Sequence, residues 1–170
     1  LTYHNVLFNE FTYDDMAVVH DNYYIKHAVY LSDVFSLNYF EYFRENSYRP
    51  VVTLSYFLDY AIWGLSSRGF HLTNVVLHGV NVLLVFGLVS RLDKRVGFLA
   101  AVFFAVHPVA TESVNAIGFR EELLVVLCVS GGLLLFSSAL SCGKCRWIFL
   151  VLSLVLFSCG LFSKETTMVF

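Results

Sequence analysis

Two carboxylates stand side by side in FTYDD, at Asp14 and Asp15. Adjacent carboxylates repel, so one can hold its proton more tightly and serve as a general base near neutral pH; the same dipeptide also fits a solvated turn. A second group lies in HPVATESVNAIGFREELL, residues 107–124, where His107 and Pro108 close one apolar segment, Thr111 and Glu112 follow, and Arg120 and Glu122 open the next. Ionisable groups at the ends of membrane segments are costly to bury and usually line a pathway or pocket. The forked guanidinium of Arg120 suits a phosphate, although a solvated hairpin accounts for the same residues. A third set, His71, Asn74, His78 and Asn81, recurs at spacings of three, four and three, which draws one polar stripe along a helix. In a membrane that stripe faces the bundle interior or a water-filled cavity. Deep in the segment, Asn81 reads as an inter-helix hydrogen bonder, whereas His71, near the outer end, fits either packing or a site. Lys164 and Glu165, at the end of the last apolar segment, read on their own as a snorkelling lysine and a helix-surface glutamate.

These groups need elements to hold them, and composition says which kind. The chain has 170 residues, 58% hydrophobic and only 14% charged, with a mean hydropathy of +0.69. Soluble domains carry about 25% charged residues, so the expected class is an all-α, multi-pass membrane bundle. A net charge of −2 gives no reason to expect nucleic acid as a partner. The chain begins at Leu1 with no signal-peptide pattern and ends inside SKETTMVF, which reads as a fragment of a longer protein. CGKC, at Cys142 to Cys145, is a lone C-x-x-C with no second pair or nearby histidine to complete a zinc site. It stays open as an inert loop pair, a disulfide or a lipidated thiol, and no metal is expected.

Residues 1–69 hold no apolar run of the about 20 residues a span requires and are expected to form an outer loop. Inside it, RPVVTLSYFLDYAIWGL places Val51, Leu54, Leu58, Ile62 and Leu65 at helical spacing behind Pro50. Its Tyr56, Tyr60 and Trp63 suit a helix lying at the membrane interface, or an amphipathic helix of a folded loop. Four apolar segments follow, at about 70–90, 96–110, 123–141 and 147–163, the second of them short. The linkers SRLDKR and CGKCR carry five basic residues and one acidic, Asp93, and are therefore cytoplasmic. Twelve of the thirteen acidic residues then fall on the opposite face, with every candidate chemical group. A transporter path along the His/Asn stripe is the alternative to an enzyme, but its charges should be spread through the membrane depth.

FNEFTYDD, SYRPVVTLSYFLDYAIWGL, GFHLTNVVLHGVN, HPVATESVNAIGFREELL and LFSKE, in this order from Asn9 to Glu165, resemble the motif series of the transmembrane and tetratricopeptide-repeat (TMTC) proteins and their bacterial relatives, of the GT-C glycosyltransferase superfamily. The resemblance implies the first outer loop and next four spans of a larger enzyme, often followed by TPR repeats, and so a piece inactive alone. The activity it implies is transfer of mannose from a polyprenyl-phosphate donor to protein Ser or Thr hydroxyls. The membrane is that of the endoplasmic reticulum or the bacterial cell, and the active site lies on its non-cytoplasmic face. The lipid-linked sugar is the donor substrate and no cofactor is implied. Asp14 and Asp15 match the acidic pair, with Asp14 preferred as general base. His107, Glu112, Arg120 and Glu122 match an H-P…E…R-x-D/E pattern in which Arg120 faces the donor phosphate. Arg49, His71 and Lys164 follow as further donor contacts. The match breaks at Ala110, where relatives often carry His or Gln, and this puts sugar or acceptor specificity in question.

Overall fold

The computed structural model describes residues 3–12, 14–36 and 48–169; the remainder of the expected outer loop, at 37–47, lies outside the described residues. Among the described residues every regular element is helical, as expected for an all-α chain. The ordered elements are α1 (Pro50–Trp63), α2 (Ser67–Val89), α3 (Lys94–Val106), α4 (Ala110–Asn115), α5 (Arg120–Ser141) and α6 (Arg146–Leu161), preceded and followed by short 3-10 and π turns.

Helix α2 has 23 residues and the run Ile117–Ser141 has 25, both apolar and long enough to cross a membrane. At 1.5 Å per residue they extend over about 35 Å, against a hydrocarbon core of about 30 Å. Helices α3 and α6, of 13 and 16 residues, are shorter. The second apolar segment, expected to run to residue 110, stops at Val106. The residue before a proline avoids the helical region, and His107 is accordingly extended at φ −66° and ψ 130°. Asp93 caps the start of α3, its Oδ1 accepting from Arg95 N–H at 2.8 Å and Val96 N–H at 3.0 Å.

Helix α5 packs on α2 and α6, and α2 packs on α3. Gly131 and Gly132 let α6 approach closely, so that Ser153 Oγ donates to the Gly132 carbonyl at 2.8 Å. On the basic side, Arg91 donates to Ser137 Oγ and Ser138 Oγ at 2.6 and 2.7 Å, tying the α2–α3 linker to the end of α5. Phe98, Leu99 and Phe103 on α3, with Ile148, Val151 and Leu154 on α6, are exposed. Exposed apolar side chains in such number on each of these two helices belong against lipid or protein, not water.

The turns before α1 pack over one end of the helices. Val19, Ile25 and Val34 are buried with Val52, Tyr56, Phe57, Phe70, Ile117 and Leu124 in one core. Helix α1 turns Val52, Thr53, Tyr56, Phe57 and Asp59 inward. Leu58 and Ile62, on the apolar stripe read from the sequence, are 65% and 66% exposed. The aliphatic stripe therefore faces outward beside Trp63, as an interfacial helix requires.

Candidate active site

The acidic turn and the 107–124 stretch meet. Asp15 is buried, and its Oδ1 accepts the Gly118 N–H at 2.8 Å while its Oδ2 accepts the Thr12 N–H at 3.3 Å. Gly118 permits the approach: a Cβ there would lie 3.1 Å from the Asp14 Cβ. Asp14 is exposed and, with the buried Asp15, lines a cavity of about 410 Å³ that Asn9, Thr12, Glu112, Asn115 and Phe119 also line. The two expected carboxylates are thus divided, one binding the loops together and one open.

A second cavity, of about 570 Å³, lies between α2, α3 and α5. His107, Glu112, Ser113 and Glu122 supply its polar groups; Phe103, Phe104, Phe119, Leu123 and Val126 line the rest, with His78 and Asn81 on α2. Both volumes are of the size that holds small ligands. Glu112 and Phe119 line both cavities and so stand between them. His107 packs edge-on against Phe103, centroids 4.8 Å apart, and its Nδ1 accepts the Val109 N–H at 3.2 Å. The neutral ring then carries its proton on Nε2. Ala110, where the motif breaks, lines this cavity.

Arg120 sits elsewhere than expected. It is 0% exposed and lines neither cavity. Its Nη1 pairs with Asp59 Oδ2 at 2.6 Å; Nε donates to Asn74 Oδ1 at 2.7 Å, Nη2 to the Phe70 carbonyl at 3.1 Å, and Nη1 also to Ser55 Oγ at 3.3 Å. The guanidinium carbon lies 5.0 Å from the Tyr56 ring centre and 5.7 Å from that of Phe70. These contacts engage four of its five N–H donors. The structure thus places Arg120 among α1, α2 and α5, where it holds the helices together, and not on the wall of either cavity. Asn74 Nδ2 passes the restraint on, donating to the Ser113 and Ala116 carbonyls at 3.3 Å each, which fixes the segment that carries Glu112. Thr73 Oγ1 donates to Asp59 Oδ1 at 2.8 Å. Burial pushes the Asp59 carboxyl above its ordinary range, against the opposing pull of Arg120 and Thr73.

The two other expected donor-contact cations, Arg49 and Lys164, gather on Glu121, which is 4% exposed. Arg49 Nη1 lies 3.1 Å from Glu121 Oε1, Lys164 Nζ lies 3.7 Å from the same oxygen, and Lys164 also donates to Glu122 on the wall of the larger cavity. Arg49 and Lys164, 115 positions apart in the chain, are thus brought together through one buried carboxylate. The Arg49 Nε–H has no hydrogen-bond partner among the described residues. His71 is 0% exposed, lines neither cavity, and its ring nitrogens make no hydrogen bond of normal geometry among the described residues. Asn81 donates to the Leu123 carbonyl at 2.9 Å, an inter-helix bond.

Asp59 and Glu121 carry much of this arrangement and were not singled out from the sequence. A signal for Asp59 was present: Val52, Tyr56 and Asp59 follow helical spacing, so a carboxylate on that stripe is buried and needs a cation. Among the described residues no three His, Cys, Asp or Glu side chains converge as a metal-binding group.

Comparison with known proteins matches residues 50–170 to the family described as dolichyl-phosphate-mannose-protein mannosyltransferase. The chain belongs to that mannosyltransferase family. Its relatives include Protein O-mannosyl-transferase TMTC3 of Mus musculus, 37% identical over 129 residues, which are 72% of this chain and 14% of that protein. Protein O-mannosyl-transferase Tmtc1 of Drosophila melanogaster is 39% identical over 123 residues, 71% of this chain and 14% of the relative. Protein O-mannosyl-transferase TMTC1 of Mus musculus is 31% identical over 183 aligned positions, covering 98% of this chain and 19% of the relative. The chain therefore spans less than a fifth of the length of these relatives. The resemblance to the TMTC group within the GT-C superfamily is borne out. No solved structure matches the chain.

Proposed function

We propose that the two adjoining cavities are parts of the acceptor and donor sides of a membrane O-mannosyltransferase. The enzyme moves mannose from a polyprenyl-phosphate donor to a Ser or Thr hydroxyl of an acceptor protein. Asp14 takes the hydroxyl proton, the acceptor oxygen bonds to the anomeric carbon, and the bond from that carbon to the phosphate oxygen breaks. A Ser or Thr hydroxyl is a weak nucleophile until its proton has somewhere to go. Charge builds on the leaving phosphate, where Lys164 and Arg49 supply fixed positive groups. An incoming phosphate competes with Glu122 for Lys164, and His107 and Glu112 contact the sugar or acceptor.

One observation carries this reading: an open carboxylate, Asp14, faces a cavity that adjoins, across Glu112 and Phe119, a larger and mostly apolar one with the Glu122–Lys164 pair beside it. A lipid-phosphate donor and a protein hydroxyl need that division between apolar and acidic surroundings. The chain spans its membrane several times, with the basic linkers cytoplasmic and the cavities luminal. The named animal relatives favour the endoplasmic reticulum over a bacterial membrane. The test is incubation of the full-length protein with a panel of polyprenyl-phosphate sugars and an acceptor protein. Consumption of the mannose donor with mannose on Ser or Thr supports the reading; no turnover with any donor contradicts it.

A further inference from the structure

On the basic side of the molecule the turn CGKC, residues 142–145, joins α5 to α6. Cys142 is half-buried, Cys145 is exposed, and both are free thiols. The Cys145 N–H donates to Cys142 Sγ at 3.3 Å, which folds the Cys142 sulfur into its own turn and leaves the Cys145 thiol open. Lys144 and Arg146, beside it, are exposed. Apolar surface begins immediately: Leu140 is 65% exposed before the turn, and Trp147 and Ile148 are 76% and 61% exposed after it. A tryptophan next to basic residues at a helix end marks the level of the membrane–water interface. The Arg91 contacts to Ser137 and Ser138 hold the other basic linker against the same end of α5. The linkers therefore form one basic face, which the distribution of charge assigns to the cytoplasm, a compartment that keeps thiols reduced.

We propose that this turn is an S-acylation site, with Cys145 the first acceptor and Cys142 the second, and a long-chain fatty acyl-CoA as the donor. The Cys145 thiolate attacks the thioester carbonyl carbon. A new carbon–sulfur bond forms, the bond to the coenzyme A sulfur breaks, and coenzyme A leaves with the proton that Cys145 gave up; nothing is oxidised or reduced. The attached chain enters the bilayer along the exposed flank of Leu140, Trp147 and Ile148. Cysteines at the membrane surface are the positions where such acylation occurs, and the chain's other thiols differ: Cys128 is 3% exposed between α5 and α6, and Cys159 lies within α6. The inference does not rest on the transferase reading; it rests on the basic linkers being cytoplasmic.

The test is made on the full-length protein expressed in animal cells. Free thiols are blocked in the lysate, thioesters are cleaved with hydroxylamine, and the thiols released are tagged with a maleimide polymer that shifts the band on a gel. Incorporation of an alkyne-bearing fatty acid is read in parallel. Shifted protein is scored as a fraction of the protein present, so lower abundance of a variant does not imitate loss of the modification. The wild type should show a hydroxylamine-dependent shift, reduced by half or more in Cys145→Ser and absent in Cys142→Ser/Cys145→Ser, with the alkyne label following the same order. The proposal is overturned by the absence of any hydroxylamine-dependent shift, by a shift that persists in the double variant, or by thiols that only a reductant releases.

Discussion

The Oδ1 atom of Asp15 accepts the backbone N–H of Gly118 at 2.8 Å, joining two segments 103 residues apart in sequence. That bond holds Asp14 at the cavity that Glu112 also lines and assigns the neighbouring acids different tasks. Asp15→Ala removes a buried charged acceptor, which costs about 1.5–3 kcal/mol. Its melting temperature in detergent should fall, and transfer should fall with it because Asp14 loses its support. An unchanged melting temperature would mean that the bond does not hold the loop.

Asp59 and Arg120 form a buried ion pair at 2.6 Å. Removing one member leaves the other charge unpaired, at a cost of about 3–5 kcal/mol. Asp59→Ala and Arg120→Ala should therefore each lower stability strongly, while the double variant loses less than the sum. A double-mutant cycle by denaturant unfolding reads the coupling. Additive losses would show that the pair does not act as a unit.

Lys164 is proposed to meet the donor phosphate. Loss of one charge-assisted bond corresponds to about 1.5–3 kcal/mol, or about 10- to 100-fold. In Lys164→Gln that loss should fall on kcat/KM for the lipid-linked donor, with Lys164→Arg recovering part of it. Steady-state kinetics with varied donor check this, and wild-type kinetics in Lys164→Gln would remove Lys164 from the site.

Asn81 donates one inter-helix bond to the Leu123 carbonyl at 2.9 Å. Such bonds in membrane bundles are worth about 1 kcal/mol. Asn81→Ala should therefore lower stability slightly and leave transfer within a few-fold of wild type. Loss of transfer with stability unchanged would give Asn81 a role at the larger cavity that the hydrogen bond does not explain.

The helical class, the position of α1, the polar stripe on α2 and the grouping of ionisable residues near 107–124 were legible because periodicity and charge report burial directly. The face of α1 was not. Its aliphatic stripe at Leu58 and Ile62 is apolar because it faces outward, while its buried stripe contains Asp59 and so reads as polar. The same contact hid the position of Arg120: a guanidinium at the start of an apolar helix looks free until its partner 61 residues earlier is found. Asp14 and Asp15 are indistinguishable as a dipeptide. Only the approach of Gly118, set by long-range packing, decides which carboxylate turns inward.

The central claim is that Asp14 is the base on the acceptor hydroxyl. General-base assistance contributes about 10²- to 10⁴-fold. In the full-length protein, Asp14→Asn should lower mannose transfer from the polyprenyl-phosphate donor by at least about 100-fold, with an unchanged melting temperature and membrane level. Transfer at the wild-type rate in Asp14→Asn would contradict the account.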